Sequence, residues 1–343
     1  MDYNLMKQLS EVSGIPSEET KVANLMRAEF EKRGLKVKID RFGNVLAYKK
    51  ITKDPLMLGA HMDEIGLIVK HIDDTGFIRF FKIGGIDDRT LVNQHILIKT
   101  NSGSVYGLIG SKPPHVMKPD ETKKTIEYGS LFVDVGAKNK KEVEKMGIQV
   151  GTPMSFPTEF RRLGKNRMMG KALDNRIGCY VLIELAKNLP DNVLLVGTTQ
   201  EEISTFGKGA AIAAYHNDPS AFIAVDTCVA GDHPEVKIED APIYLEKGPA
   251  LVLFEWGGRG NIADKTLVLD FINVAKKNKI QFQLEAMEGG ATDAASVYNL
   301  RGGIPSVAVC VPTRYIHSTV SLASEFDITK TIELLRAFLK NHK

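Results

Sequence analysis

Hydrophobic and polar positions along the chain fall into three textures. At the N-terminus apolar residues recur at helical spacing: residues 2–12 read as a helix that stops near Ser13 and Gly14. Val22, Leu25, Met26 and Phe30 then mark a second helix, which Ser17 can cap and Gly34 can end. Short strands follow at 35–39 and 44–48, and the apolar run Leu56, Met57, Leu58 reads as a buried strand ending at Gly59. From about 67 to 163 the segments become brief, β-branched and aromatic, and punctuated by glycine (GFIRFFKIG, HILIKT, SVYGLIG, LFVDVG). One charged helix near 139–146 and a loop broken by Pro113, Pro114 and Pro119 interrupt them. Strands this short and closely spaced predict a small β-barrel or sandwich.

After Gly164 the pattern alternates. LDNRIGCYVLIELAKNL predicts a helix, VLLVGTT a buried strand and KGAAIAAYH a helix. AFIAVD predicts a strand ending at Asp226, and ALVLFEW a further strand. TLVLDFINVAKK predicts a helix, IQFQLEAM a strand, DAASVYNL a short helix and SVAVCVP a buried strand, with a last helix from about Thr329. Alternation of this kind predicts an α/β fold with a mixed, largely parallel sheet flanked by helices. The chain is then a discontinuous α/β domain, 1–66 and 164–343, around an inserted β domain, 67–163.

Composition narrows the function. A chain of 343 residues exceeds one ordinary core, so two domains are expected. A net charge of +3 argues against nucleic acid or an anionic membrane as partner. The first residues mix charges into an amphipathic pattern unlike a signal peptide, and no apolar run has the length of a membrane span. Three cysteines without CxxC spacing (Cys179, Cys228, Cys310) predict reduced, buried thiols and a cytoplasmic protein.

The candidate chemistry lies just past strand ends. The stretch LMLGAHMDEIG releases His61, Asp63 and Glu64; VLLVGTT ends at Glu201 and Glu202; AFIAVD ends in Asp226; SVAVCVP leads to His317. Asp174 stands at the start of a helix. Singly each has an ordinary reading, as an N-cap, a solvated loop or a locally bonded histidine. Together they bring two imidazoles and several carboxylates to the crevice where α/β sheets place chemistry, a donor set suited to a pair of divalent ions. Charge supports the pair: two ions bring +4, three carboxylates −3 and a hydroxide −1. A bridging carboxylate would hold such ions about 3.5–4 Å apart. Glu201 and Glu202, pointing to opposite sides of an extended chain, could divide the work of ligand and general base.

The strings GAHMDEIG, GKALDNRIG, TTQEEIS, AVDTCVAGD, GGATDA and RYIHS resemble, in order and spacing, the tetrahedral dinuclear metallo-aminopeptidases. That family includes glutamyl, leucyl and lysyl aminopeptidases, and some members were catalogued as cellulases. The resemblance covers essentially the whole chain. It implies a zinc-peptidase type α/β domain with a PDZ-like insertion that helps assembly into a tetrahedral dodecamer. It implies two divalent ions per subunit, zinc first, with cobalt or manganese tolerated by similar donors, and short peptides as substrates. By position, His61 and Asp226 look like ligands of the first metal, Glu202 and His317 of the second, and Asp174 the bridge. Asp63 looks like the group orienting His61, and Glu201 the general base.

Outside these assignments, Arg259 in GGRGNIAD is a candidate for attracting an acidic substrate side chain, with a solvent-facing arginine as the plainer reading. His233 is taken as a surface residue, Thr292 and Asp293 as framework, and Glu64 as loop without a role. Two rival functions are a glycoside hydrolase working with Glu201 and a second carboxylate, which leaves both histidines unexplained, and a non-catalytic peptide-binding scaffold.

Overall fold

The computed structural model describes residues 1–51, 53–121, 123–203 and 207–341. Helices α1 (Tyr3–Glu11) and α2 (Thr20–Lys32) precede strands β1 (Lys36–Ile39), β2 (Val45–Tyr48) and β3 (Leu56–His61). Strands β4 (Gly66–Ile72), β5 (Ile78–Ile83), β6 (His95–Thr100), β7 (Gly103–Gly110), β8 (Phe132–Asp134) and β9 (Pro153–Ser155), with helix α3 (Lys140–Lys145), make the β-rich middle. The remainder runs β10 (Arg161–Leu163), β11 (Arg167–Gly170), α4 (Leu173–Leu185), β12 (Val193–Thr198), α5 (Lys208–Asn217), β13 (Ala221–Val229) and β14 (Ala250–Phe254). It continues through α6 (Lys265–Lys277), β15 (Gln283–Ala286), α7 (Ala294–Val297), β16 (Ser306–Arg314), β17 (Ser321–Ser324) and α8 (Glu325–Asn341).

Among the described residues eleven strands form one sheet, in the order β1-β2-β12-β3-β13-β16-β17-β11-β10, with β14 on β16 and β15 on β14. Its centre, β12-β3-β13-β16, is parallel, and the strands on either flank are antiparallel. The central strands read as continuous apolar runs because both faces are covered. Leu56, Leu58, Leu195, Ile223, Val225, Val307 and Val309 pack with α1, α2, α4, α6 and α8 on one side. Alternate positions, Met57, Leu194, Val196, Phe222, Ala224 and Ala308, pack with α5 and α7 on the other. The fold is therefore the expected mixed α/β sheet flanked by helices.

Strands β4-β5-β8-β7-β6-β9 close into an antiparallel barrel around its own core, with Leu67, Ile78, Ile96, Ile98, Ile109 and Val133 inside. Strand β10, which falls within 67–163, hydrogen-bonds to β11 in the large sheet. No helix among the described residues is long and apolar enough to cross a membrane.

Several local expectations are corrected. Ser17 is not the cap of α2: it takes φ +70°, and Glu19 precedes the helix without a side-chain capping bond. Gly59 does not end β3, which runs on through His61. A Cβ at residue 59 would lie 2.9 Å from the Phe222 ring, so glycine serves close packing between neighbouring strands. Strands β13 and β16 continue past Asp226 and Pro312, and α8 starts at Glu325.

Glu64 has a role that a loop reading overlooks. It is buried, with both carboxylate oxygens 2.6 Å from Lys171 Nζ and Oε1 also accepting from the Gly14 amide at 2.8 Å. Arg176, fully buried 3.5 Å from Glu64, donates to the carbonyls of Met62, Leu9 and Val12. This network ties the end of α1 and the chain just after β3 to the start of α4. Removing one member leaves an uncompensated buried charge, so Glu64→Gln is expected to cost about 3–5 kcal/mol. Denaturant titration should read this as a lowered midpoint; a midpoint unchanged from wild type would contradict it.

Candidate active site

Side chains from five segments converge on one cavity of about 990 Å³, lined at one end by His61, Asp174, Glu201, Glu202, Asp226 and His317. His61 is the last residue of β3, and its buried ring points Nε2 at Asp174 Oδ1 (3.3 Å), Asp226 Oδ1 (3.6 Å) and Glu201 Oε2 (4.0 Å). His317 Nε2 lies 3.5 Å from Asp174 Oδ2 and 3.6 Å from Glu202 Oε2. Asp174 thus turns one oxygen to each imidazole. Ligand atoms of His61, Asp174 and Glu202 all lie within 4.8 Å of one another.

Local structure explains how Asp174 reaches the cavity. It stands at a helix start but does not cap it. Its φ and ψ (−81°, 107°) are non-helical, and the Asp174–Asn175 peptide is cis. Asn175 does the capping instead: its Oδ1 accepts from the Gly178 amide at 2.9 Å, and its Nδ2 donates to the Val225 carbonyl at 2.8 Å. A Cβ on Gly178 would lie 2.5 Å from that carbonyl, so only glycine lets α4 approach β13 this closely.

The glutamate pair is held by its backbone. Strand β12 ends at Thr198, and Gln200 takes φ +59°, so Glu201 and Glu202 sit beyond the strand rather than on an extended continuation of it. The amides of Glu201 and Glu202 donate to Asp63 Oδ1 and Oδ2, each at 3.0 Å, and the Gln200 amide donates to Glu19 Oε1 at 3.1 Å. One carboxylate is thereby aimed at His61 and the other at His317. The contact between Asp63 and His61 has two parts, the Asp63 carbonyl 3.2 Å from Nδ1 and Oδ1 at 3.6 Å. On the other side, His317 Nδ1 lies 3.1 Å from the Gly85 carbonyl. A bond there leaves Nε2 free to face Asp174 and Glu202, in the way outer partners orient ligating histidines.

Glu19 and Gly85 were not singled out in the sequence. Glu19 carries no local signal. Gly85 belongs to a glycine pair beside the barrel strand β5, and side chains there would strike the site. A Cβ at residue 84 would lie 3.0 Å from Glu202 Oε2, and one at 85 would lie 2.8 Å from His317 Nδ1.

Acidic groups here crowd with only the two imidazoles to offset them; among the described residues no lysine or arginine lines the cavity. Burial, with Asp174 and Asp63 adding to it, pushes Glu202 up to about 8. Burial also lifts Asp226, and raises Glu201 well above the ordinary carboxyl range, with Asp226, Glu202 and Asp293 reinforcing it. Asp174 moves down despite burial because it faces both imidazoles. Burial opposes charge on His61, yet hydrogen bonds to Asp174, Asp226 and Asp63 hold it well above the usual imidazole value. The charge of Glu202 raises His317. Convergent carboxylates and two imidazoles with free Nε2 atoms suit divalent cations.

Asp293 accepts from Thr198 Oγ1 at 2.5 Å and is pushed to about 7 by burial. Thr292 donates to buried Glu255 at 2.7 Å. Arg259 is exposed, outside the cavity lining, with its guanidinium 5.0 Å from the Trp256 ring centre. His233 lies against Tyr315 with the rings tilted at 55° and their centres 5.3 Å apart.

The M42 glutamyl aminopeptidase family matches residues 43–334. A lysyl aminopeptidase of Pyrococcus furiosus is 36% identical over 100% of this chain and 98% of its own. A TET aminopeptidase from Thaumarchaeota archaeon SCGC AB-539-E09 is similar in structure, with TM-score 0.94 and 35% identity over 99% of this chain and 96% of that one. The Pyrococcus horikoshii TET1 peptidase, described as able to assemble into a tetrahedron or a large octahedral shell, gives TM-score 0.88 and 29% identity over 98% of each chain.

The raised groups make a pH prediction for chelator-treated protein. Each raised carboxyl or imidazole keeps more protons in the folded than in the unfolded chain, so stability falls as pH rises. For Glu202 the fall spans the ordinary glutamate value, 4.5, to about 8; the raised histidines act in the same direction, and lowered Asp174 acts oppositely only at or below its ordinary 3.8. Thermal melts should therefore drop between about pH 5 and about pH 8 and recover on adding divalent cation. A melt that climbs across this range would contradict the reading.

Proposed function

The chain belongs to the M42 glutamyl aminopeptidase family and is a peptidase hydrolase, and on that premise we propose that it removes N-terminal residues from short peptides with two divalent ions per subunit. The observation that carries this reading is Asp174, whose two oxygens face the Nε2 atoms of two different histidines. In the proposed assignment His61 and Asp226 would hold one ion and Glu202 and His317 the other, with Asp174 available to both. Zinc is the first candidate, with cobalt or manganese suited to the same donors. Bound there, the ions would supply Lewis acidity toward the scissile carbonyl and lower the pKa of the attacking water.

The protein's own part is positioning and proton transfer. Glu201 is the general base: it takes the proton from the attacking water and returns it to the departing amine. Its carboxyl, raised by burial well above the ordinary range, supports this, because a raised carboxylate is the stronger proton acceptor. Glu202 is the less suitable base, since its carboxylate belongs with His61 and Asp174 in the tight donor group. Asp63 keeps both glutamates in place through their amides.

The barrel is the proposed assembly element, working toward a tetrahedral dodecamer. Phe81, Tyr106, Leu108, Val116 and Val150, all in the 67–163 insertion, are exposed apolar side chains, at 46%, 70%, 43%, 62% and 65%, and such surface favours contact with another chain. Three free, buried cysteines support a reducing compartment such as the cytoplasm.

Glu201→Gln should retain bound metal while turnover falls about 10²–10⁴-fold, the usual contribution of a positioned base; activity near wild type would remove Glu201 from that role. Asp174→Ala should lose both ions by elemental analysis, and two ions per chain after substitution would refute the bridge. Light scattering should give the mass of a dodecamer; a monomer at working concentration would refute the assembly.

A further inference from the structure

Beyond the histidine–carboxylate cluster the cavity continues along Cys228, Val229, Ala241, Trp256 and residues 285–292. One side chain there lacks a matching partner. Glu285, on β15 opposite Val252 of β14, is 6% exposed, and its Oε2 is buried without a hydrogen-bond partner. Its polar neighbour is the thiol of Cys228, two residues along β13 from Asp226 and on the same face of the sheet. The nearby carboxylate of Glu255 is already engaged by the Thr292 hydroxyl and the Asn261 amide, and it repels a charge on Glu285.

Glu285 lines the cavity with only the weakly donating Cys228 thiol on its carboxyl and Oε2 without a partner, and a carboxyl so poorly satisfied calls for a stronger donor brought by a ligand. The remaining charged side chains of this end point to the sign of that ligand. Exposed Asp240 and Glu288 line the cavity, and among the described residues no lysine or arginine does. An acidic side chain entering here meets three carboxylates and no cation. A neutral one leaves Glu285 with the Cys228 thiol alone. An ammonium or guanidinium group satisfies it.

We propose that Glu285 is the specificity-determining residue of the cavity, selecting lysine or arginine as the N-terminal residue to be removed. This inference rests on the aminopeptidase reading above. It places the cationic side chain of the substrate against Glu285 while the scissile bond lies at the His61–His317 cluster. Asp240 and Glu288 at the exposed edge add a field that favours entry of cations. Arg259, outside the lining and exposed, takes no part.

The test compares the metal-restored full chain with Glu285→Gln, which keeps size and removes charge, on lysyl, leucyl and glutamyl chromogenic substrates. The lysyl kcat/KM should fall about thirty-fold or more while the leucyl value stays within about twofold, as expected for loss of one partner of a desolvated charge pair. An unchanged lysyl-to-leucyl ratio would overturn the assignment. An equal loss on every substrate would also overturn it, since Glu285 would then serve the α-amine or the fold. Wild type inert to all three substrates would sink the aminopeptidase reading itself, and this proposal with it. A second measurement needs no variant and no turnover: calorimetric binding of L-lysine to wild type should exceed that of L-norleucine, which has the same backbone and no terminal ammonium. Equal binding of the two would overturn the proposal.

Discussion

The structure depends on holding four carboxylates and two imidazoles together in one cavity whose lining, among the described residues, offers no lysine or arginine. Like charges at this separation repel, and burial makes each charge more expensive. The raised positions of Glu201, Glu202 and Asp226 follow from that cost. Convergence is enforced by backbone, because amides and carbonyls can position an acid without neutralising it. Asp63 binds two consecutive amides, Glu19 the one before them, and Asn175 closes the first turn of α4 so that Asp174 stays free of it.

A second buried cluster shows the alternative. Asp63 and Glu64 are neighbours in the chain yet have opposite surroundings. Glu64 is matched by Lys171 and Arg176, and this paired charge fastens α1, α4 and the end of β3 into one body. The paired network beneath the cavity gives the unmatched one a rigid base. Residues with matched charge serve the fold, and those with unmatched charge are left for a ligand. The same contrast separates Glu255, bonded by Thr292 and Asn261, from Glu285.

The barrel is not a detached appendage. Its glycine pair touches the cavity, with the Gly85 carbonyl at the Nδ1 of His317 and Gly84 against Glu202. A side chain at either glycine would displace a group of the cluster.

How much was legible in the sequence follows from how far each interaction reaches along the chain. Periodicity revealed the helices, the buried strands and the β-rich middle, because each is a local consequence of which face is covered. It also marked His61, Asp174, Glu201, Glu202, Asp226 and His317, polar residues at or near the ends of apolar segments. Local pattern misplaced what neighbours in space decide. Ser17 looked like a cap and is not one, and Gly59 looked like a stop although Phe222 from the next strand is its reason. Glu64 looked like loop although its partners lie 107 and 112 positions away, at Lys171 and Arg176. Tertiary structure alone set Glu19 on Gln200, Gly85 on His317, and Glu285 in an acidic cavity without a cationic partner. Composition and periodicity record which residues avoid water. Which charges meet, and which are left unmatched, is decided by contacts between segments far apart in the chain.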